Sequence, residues 1–509
     1  MNKDRYFDLS SLWLMLLFSL FSIMRFSYLP QFIDAYYHLS VANAFIESGG
    51  WVGWDWWSFA PAGRPHMYPP VYHFILVCLQ KIGLSGINSL RITEVSIIPL
   101  FFFSLWYVSR RIINSKFAFF ALLALSGFFS FYVSVSANIP ASLAIIFGLF
   151  SWMLIKKNNI FISGLLLALS FYTHAGMPWI FLCSFLTLSM VNKEYRSSAL
   201  KVIFLGICLA LPFFWHCFKY LDWVNTSQVI GAKFIVVNIF IIVFGIVGLF
   251  CLCTKNNFLY ALCVGYTAGS VFIFFKYPYR LFSGQGVIGL ALIAVLLFLK
   301  ISDALIKKNI KYSFYLCVFF IGYLSIFNST LSFKENQREL CVDDSTYYNF
   351  LTGASADTIS YNSLFFPEYY SPIIDVIGKN TQQMDIISSN SNFIAQIFSA
   401  VTGRPSSSSV FREVATEDCV SRYAKSKVVI LLNDYFHKKN IMWKEKGWKL
   451  LYHNDFAHIF LNSTCLSTAN PVNSKFKFSY TKYLFLFFFF LFVIWKVEQR
   501  IRRNRRNSP

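Results

Sequence analysis

The amino-acid sequence predicts a polytopic α-helical membrane protein with about 12 transmembrane helices and a small extracytoplasmic α/β domain. Composition is the first observation: of 509 residues, 56% are hydrophobic and only 14% are charged, too few to cover a soluble protein of this length. The hydrophobic residues also lie in runs close to the ~20 residues that cross a bilayer. Finally, Lys and Arg cluster between alternate runs, as the positive-inside rule requires.

Apolar runs mark the predicted spans. They lie at about 8–29, 92–109, 117–136, 139–155, 160–175, 177–191, 199–217, 234–253, 258–275, 282–299, 312–330 and 480–495. The first run follows Lys3 and Arg5 and has no small-residue cleavage site after it, so we expect an uncleaved span that begins inside. Because the basic loops then alternate with loops poor in Lys and Arg, both chain ends are predicted inside.

The formal net charge of +21 favours an anionic membrane surface over nucleic acid as the partner. Positive charge is densest in residues 500–506, directly after the last predicted span. We interpret this tail as a cytoplasmic anchor near anionic lipid headgroups and expect no nucleic-acid partner.

Three segments are expected. Residues 1–330 form a transmembrane domain with a long first external loop at 30–91, and residues 331–476 form the α/β domain on the non-cytoplasmic side. Residues 477–509 supply the last span and the basic tail. In the first loop, residues 71–84 are apolar but carry His73 and Lys81, which predicts a helix lying in the interface. The expected location is a plasma or inner membrane, or the ER membrane in a eukaryote.

The α/β domain is predicted from alternating short patterns. Residues 384–388 and the β-branched run 427–432 indicate strands, and 392–402 indicates a helix that Gly403 closes. Residues 448–452 and 456–461 flank Asn-Asp and indicate a hairpin. Two of the three cysteines in this domain could form a disulfide in an oxidising compartment; they are Cys341, Cys419 and Cys465.

Asp34 lies a few residues beyond the first predicted span, beside Tyr37 and His38. An ionisable group at membrane depth is costly and is therefore often functional or paired. Asp34 could be a catalytic carboxylate, with Tyr37 and His38 binding substrate, or it could cap the helix that starts near Ala35. The two roles are compatible because a capping carboxylate is well held.

Asp55 lies among four tryptophans, at positions 51, 54, 56 and 57. One interpretation is an interfacial aromatic belt with a solvated carboxylate. The other is a catalytic or metal-binding carboxylate within a platform of indole rings that stack on a sugar. The candidate substrate-binding residues of this loop are Trp57, Arg64, His66 and Tyr68.

Arg280 lies at the outer end of a predicted span, in Lys-Tyr-Pro-Tyr-Arg. Its guanidinium could bind a phosphate bidentately at the headgroup level, or it could snorkel to ordinary lipid headgroups. We expect His174 and His216, also at outer ends, to be hydrogen-bonded interfacial residues. The sequence has no Gly-rich phosphate loop, His-Glu-x-x-His, Gly-x-Ser-x-Gly or paired CxxC, which argues against a nucleotide-driven or zinc enzyme.

The order of features in the first loop resembles the membrane glycosyltransferases of the GT-C superfamily. Asp34 after span one, Asp55 in an aromatic cluster, Gly-Arg at 63–64 and Tyr-Pro at 68–69 precede an interfacial helix. The loop is most similar to that of the oligosaccharyltransferase catalytic subunit and its archaeal relatives. Arg91 and Pro99 at the start of span two, and Asp455-Phe456 in a closing hairpin, also look like that family.

This resemblance implies a donor sugar carried on polyprenyl or dolichyl phosphate. It implies that Asp34 activates the acceptor or holds a divalent metal (Mg²⁺ or Mn²⁺) with Asp55, and that Arg280 holds the donor phosphate. The chain departs from the oligosaccharyltransferase pattern at 136–140, which lacks a second acidic motif, and it lacks the Trp-Trp-Asp motif in the soluble domain. The acceptor therefore stays open among protein, glycan and lipid.

The sequence thus favours a glycosyltransferase that acts on the outer face of the membrane by inverting displacement. A twelve-span transporter or lipid flippase is the alternative, although the long first loop and the soluble domain count against it. A non-catalytic scaffold of envelope assembly is a third candidate.

Overall fold

The computed structural model describes residues 3–24, 26–30, 32–224, 234–252, 257–307, 330–334, 339–342, 367–410, 414, 425–433, 447–465 and 469. The chain divides into two compact units. Unit 1 comprises residues 1–35, 87–215 and 227–370, and unit 2 comprises residues 36–86, 216–226 and 371–509. The predicted domain boundaries after 330 and 476 stay predictions.

The helices dominate. They are α1 (Lys3–Ile23), α2 (Ile33–Ser48), α3 (Val71–Lys81), α4 (Gly86–Ile112), α5 (Ser115–Ser126), α6 (Phe129–Ala137), α7 (Ile139–Lys156), α8 (Ile160–Phe171), α9 (Met177–Val191), α10 (Arg196–Lys219), α11 (Ile239–Cys251), α12 (Phe258–Ile273), α13 (Pro278–Phe282), α14 (Ile288–Lys307), α15 (Pro367–Asn380) and α16 (Asn392–Thr402). The strands are β1 (Trp54–Asp55), β2 (Arg64–Pro65), β3 (Phe234–Asn238), β4 (Thr330–Lys334), β5 (Glu339–Val342), β6 (Ile387–Ser389), β7 (Val428–Leu432), β8 (Trp448–His453) and β9 (Ala457–Asn462).

Within the described residues, five helices are long and apolar enough to cross a membrane: α1, α4, α7, α10 and the segment Gln285–Leu305. The bent pair α5–α6 counts as a sixth if it is one span. Several further apolar helices have 10–17 residues, among them α8, α9, α11 and α12. The predicted span at 480–495 and most of that at 312–330 lie outside the described residues. The chain is therefore mostly helical with membrane-length spans, and the count of twelve stays a prediction.

In two of the predicted spans, the structure does not form one continuous helix along the apolar run. The run 117–136 bends by 85° between α5 and α6, where Phe128 has an extended backbone (φ −90°, ψ 99°). The run 234–253 begins with β3, which pairs antiparallel with β4. Helix α11 follows this strand, and Asn238 caps its N-terminus by accepting a hydrogen bond from the Ile241 amide. Hydropathy alone cannot separate a β-branched strand from a helix of the same polarity, and it does not detect a single extended residue.

Helices in unit 1 approach closely where one of them carries glycine. A Cβ on Gly265 of α12 would lie 2.6 Å from the Cys183 carbonyl oxygen of α9, and a Cβ on Gly245 of α11 would lie 2.4 Å from Leu290 of α14. Small residues of this kind let helix backbones pack tightly within a bilayer, where lipid does not drive helices together.

Unit 2 contains a four-stranded sheet in the order β6-β7-β9-β8. Strands β6 and β7 are parallel, whereas β7–β9 and β8–β9 are antiparallel. Helix α16 spans the predicted residues and ends at Gly403, whose φ of +64° is left-handed. The predicted hairpin forms as β8–β9, and the first predicted strand is displaced to 387–389. The cysteine pairing stays a prediction because Cys419 and the Cys341 side chain lie outside the described residues.

Candidate active site

A short ladder in the first loop places a carboxylate opposite a guanidinium. Strands β1 and β2 pair antiparallel with Asp55 opposite Arg64. The side chains are only 1% and 2% exposed, and Arg64 Nε lies 3.9 Å from Asp55 Oδ2. Asp55 Oδ1 also accepts hydrogen bonds from the amides of Trp57 (3.2 Å) and Ser58 (3.0 Å). Asp55 is therefore a buried, partnered carboxylate rather than the solvated one of an aromatic belt.

The turn that closes this ladder depends on Gly63. Its φ is +72°, and a Cβ there would lie 2.6 Å from the Asp55 carbonyl oxygen and 2.7 Å from Trp54 Nε1. The Trp54 indole N–H donates a hydrogen bond to the Ala62 carbonyl oxygen, which attaches this side chain to the turn. The Gly-Arg pair of the sequence thus has a structural reason. Glycine at position 63 permits the close approach of the two strands that places Arg64 opposite Asp55.

Burial raises the pKa of the Asp55 carboxyl, and the Arg64 charge and the amides of Ser58 and Trp57 oppose that rise. This surrounding does not fit a divalent cation, because one carboxylate oxygen is occupied by two amides and a guanidinium faces the other. Among the described residues, no group of three or more His, Cys, Asp or Glu side chains could hold a metal ion. The surroundings of Asp55 are therefore unfavourable for the predicted metal site, and whether Asp34 binds a metal stays a prediction.

Three histidines of unit 2 lie close together beside this ladder. His38 Nδ1 and His73 Nε2 are 2.9 Å apart, and the His66 and His73 ring centroids are 5.2 Å apart. Both ring nitrogens of His66 are buried, and neither has a hydrogen-bond partner among the described residues. Burial, reinforced by neighbouring charge, lowers the pKa values of His66 and His73 well below the usual range. These two imidazoles are therefore neutral at physiological pH.

The predicted substrate-binding residues of the loop are brought together, although most of them are buried. Tyr68 is half-buried, and its ring centroid lies 4.8 Å from that of His38 and 6.0 Å from that of Tyr37. The Arg64 guanidinium lies 5.8 Å from the Tyr37 ring centroid. Trp57 is fully buried and packs with Trp56 in a core that includes Ile386 and Ala469. Whether any of these side chains binds substrate stays a prediction.

Unit 2 has an aromatic face that joins two of the tryptophans near Asp55 to His216 and to Trp223, and Trp223 was not among the residues predicted from the sequence. Trp54 meets Trp223 edge to face at 5.3 Å, Trp51 meets His216 at 4.7 Å, and all four side chains are half-buried. The His216 Nε2 atom lies 2.8 Å from the His66 carbonyl oxygen, which agrees with the expectation of a hydrogen-bonded histidine. The signal that could have found this face is the aromatic stretch 215–223, which continues past the apolar run.

Asp34 belongs to unit 1 and lies in the first turn of α2. Its side chain is half-buried. A carboxylate in a first helical turn is favoured by the helix dipole, so the two roles considered for Asp34 remain compatible.

Arg280, also in unit 1, lies on the five-residue helix α13 between α12 and α14. Its Nε donates to the Tyr279 hydroxyl (2.8 Å), and its guanidinium lies 5.6 Å from the Tyr277 ring centroid. Cβ atoms on Gly284 and Gly286 would lie 3.0 Å from the Arg280 Cα and 2.8 Å from its carbonyl oxygen, respectively. The two glycines therefore let the chain fold back on Arg280, which is half-buried and oriented by aromatic rings.

A second polar cluster of unit 1 surrounds Arg91. Its guanidinium donates to the carbonyls of Ser27 and Tyr28 and to the Tyr370 hydroxyl (2.6 Å). Glu94, one turn along α4, lines an adjacent cleft of about 10 Å³, room for roughly one water. The other lining residues are Ser22, Phe26, Arg91, Val95, Tyr132 and Ser136. Glu94 is not among the residues predicted from the sequence, although an acidic residue inside an apolar run is itself a signal.

Comparison with known proteins gives likenesses of structure alone. No family model and no curated protein sequence matches the chain. The structure of ArnT from Cupriavidus metallidurans bound to undecaprenyl phosphate is similar with a TM-score of 0.56 at 10% identity, over 92% of this chain and 100% of that one. The archaeal oligosaccharyltransferase AglB from Archaeoglobus fulgidus, in complex with an inhibitory peptide and a dolichol-phosphate, is similar with a TM-score of 0.50 at 10% identity, over 83% of this chain and 69% of that one. These likenesses show that the chain shares the fold of these two structures.

Proposed function

We propose that this protein is a glycosyltransferase that moves a sugar from a polyprenyl- or dolichyl-phosphate donor to an acceptor on the outer face of the membrane. The observation that supports it most is the fold shared with ArnT along the whole of that chain, in a structure bound to undecaprenyl phosphate. AglB, whose structure holds a dolichol-phosphate, supports the same donor class. At 10% identity the roles of individual residues must come from this chain's own chemistry.

The proposed reaction is an inverting displacement at the anomeric carbon. A nucleophilic atom of the acceptor forms a bond to that carbon, and the bond from the carbon to the phosphate oxygen breaks with its electron pair passing to the phosphate. Asp34 accepts the acceptor's proton as general base, a role worth about 10²–10⁴-fold in rate. Its place in a first helical turn holds the carboxylate while leaving the side chain half-buried.

Arg280 is proposed to bind the phosphate that becomes the leaving group. A guanidinium offers a planar fork of donors that matches phosphate oxygens, and charge that develops on the leaving oxygen is stabilised where donors are already oriented. The bond from Nε to the Tyr279 hydroxyl restricts rotation of the guanidinium before a ligand arrives. Asp34 and Arg280 belong to the same compact unit of the chain.

The runner-up function is transport of a lipid-linked substrate. The observation that favours it is the 85° bend between α5 and α6, because transporters use broken helices at substrate sites. The fold shared with a polyprenyl-phosphate-bound structure favours the transferase. The two functions differ in one measurable product: only the transferase releases free lipid phosphate.

The test uses purified full-length protein in lipid nanodiscs with undecaprenyl- and dolichyl-phosphate sugars, each supplied with peptide, glycan and lipid acceptors. We expect release of lipid phosphate coupled to an acceptor product of inverted anomeric configuration. Asp34→Asn should lower that rate by at least ~10²-fold without changing expression. Asp55→Asn should lower the transfer rate less, because the oxygen of the Asn side chain can still accept hydrogen bonds from the backbone amides of Trp57 and Ser58.

The matched control is Asp222→Asn, which removes an exposed carboxylate and should transfer sugar at the parent rate. Equal rates for the parent and Asp34→Asn would remove Asp34 as the base. Movement of the intact donor across a vesicle membrane without release of lipid phosphate would establish the transport function instead.

A further inference from the structure

A basic groove lies at the start of helix α10, far along the chain from every residue of the proposed active site. It is open, has a volume of about 580 Å³, and lies within unit 1. Its lining residues are Lys193, Arg196, Ser197, Leu200, Lys201 and Phe204.

The groove changes from charged to apolar along the helix. Arg196, Leu200 and Phe204 are spaced by four residues and therefore share one face of α10, and Lys201 lies beside them. Leu200 is 48% exposed and Phe204 is 71% exposed. Cations at the helix start followed by exposed apolar side chains match a molecule with an anionic head and an apolar tail.

Two further observations indicate what covers this face. Only 28% of the apolar window of α10 is buried, against 67% for α7, so most of the apolar surface of α10 is accessible. Arg196 Nε donates to the Ser189 carbonyl (3.0 Å), which fixes the guanidinium at the mouth of the groove. With Glu194 exposed nearby, Lys193, Arg196 and Lys201 leave a local excess of positive charge.

We propose that this groove binds one anionic phospholipid, with the headgroup phosphate against Lys193, Arg196 and Lys201 and an acyl chain along Leu200 and Phe204. A general belt of basic residues attracts anionic lipid diffusely, through the surface potential of the membrane. By contrast, a groove that has three cations next to exposed apolar side chains can bind both the headgroup and an acyl chain of a single lipid. The inference does not rest on the proposed transferase activity.

Binding is tested by native mass spectrometry of the full-length protein with phosphatidylglycerol, phosphatidylcholine and inorganic phosphate as probes. We expect a retained phosphatidylglycerol adduct whose affinity falls at least ~10-fold in Lys193→Gln/Arg196→Gln/Lys201→Gln. The control Arg111→Gln/Lys157→Gln/Lys300→Gln removes the same charge from three other exposed cations and should bind like the parent.

Three outcomes would overturn the proposal: equal losses in both triple variants, equal binding of phosphatidylcholine, or binding of inorganic phosphate as tight as that of the lipid. The unaltered protein gives an independent result. A phosphatidylglycerol with a photoreactive acyl chain should crosslink to the peptide that contains Leu200 and Phe204, and crosslinks confined to other helices would contradict the site.

Discussion

At the scale of single residues, the two carboxylates of the first loop have different surroundings. Asp55 is almost fully buried, accepts two backbone amides and faces Arg64. Asp34 is half-buried at a helix start. A general base must exchange protons with substrate, which a fully buried carboxylate does poorly. The difference in surroundings therefore supports Asp34 as the base and Asp55 as the residue that shapes the loop.

The phosphate role of Arg280 predicts a specific failure of the conservative substitution. Arg280→Lys keeps the charge but replaces a planar fork, oriented by Tyr279, with a point charge on a flexible stem. We expect at least ~10-fold weaker binding of an undecaprenyl-phosphate sugar, measured by equilibrium binding in nanodiscs. Lys219→Arg, at an exposed position of unit 2, is the control. Unchanged donor affinity in Arg280→Lys would exclude a bidentate phosphate contact.

At the scale of elements, the β1–β2 ladder predicts different costs for two glycines. Gly63 and Gly83 both have positive φ, +72° and +102°, but only at Gly63 would an added Cβ lie within 3 Å of backbone atoms. Gly83→Ala should cost only backbone strain of ~1–2 kcal/mol. Gly63→Ala adds a collision with the Asp55 carbonyl, so its thermal midpoint should fall further. Equal thermal midpoints for the two variants would show that the loop accommodates the added Cβ at position 63 without losing stability.

The buried histidines predict how stability depends on pH. Because burial lowers the folded-state pKa of His66 and His73 below the unfolded value of ~6.5, the unfolded chain binds protons first as the solution is acidified. Stability is then fully present above ~6.5 and falls as pH decreases. The charged and titratable groups that act on the pair are His38, His216 and Arg64.

His66→Phe should flatten this dependence. The phenyl ring can keep the edge-to-face contact with Phe45, and it removes two buried nitrogens that have no partner among the described residues. We expect a smaller drop in thermal midpoint between pH 7.5 and 5.5 than in the parent, whereas His453→Gln, on the exposed side of β8, should behave like the parent. An undiminished drop in His66→Phe would assign the acid sensitivity to other groups.

Sequence patterns predict elements best where local chemistry decides the structure. The predicted bounds of helix α16 and its Gly403 cap match the structure to the residue, because a left-handed position after an apolar period favours glycine. The partners of Asp55 are not predictable, because its pairing with Arg64 requires a turn whose close approach only Gly63 permits. The aromatic face of Trp54 and Trp223 joins residues far apart in the chain, which no local pattern reports.

At the scale of the whole molecule, one chain combines helices of membrane-spanning length with a unit that contains a four-stranded sheet. Residues 36–86 of the first loop belong to the same compact unit as the β6–β9 sheet. In that unit, the Ala60 amide donates to the Ser406 carbonyl and the Ser406 amide donates to the Trp57 carbonyl. The loop that carries Asp55 and Arg64 is thus held by backbone bonds to sequence more than 300 residues away, and both must lie on the same side of the membrane.

That shared placement leads to a prediction about topology. The alternation of basic loops predicts the first loop and residues 331–476 on the non-cytoplasmic face. Asn380, exposed at the end of α15, is a suitable probe position in that segment. In a variant whose exposed Cys78 and Cys251 are serine, Asn380→Cys should react with an impermeant maleimide added outside intact cells. Lys157→Cys, in a loop predicted inside, should react only after the membrane is permeabilised. Labelling of Asn380→Cys only from the cytoplasmic side would invert the topology and place the proposed donor chemistry on the opposite leaflet.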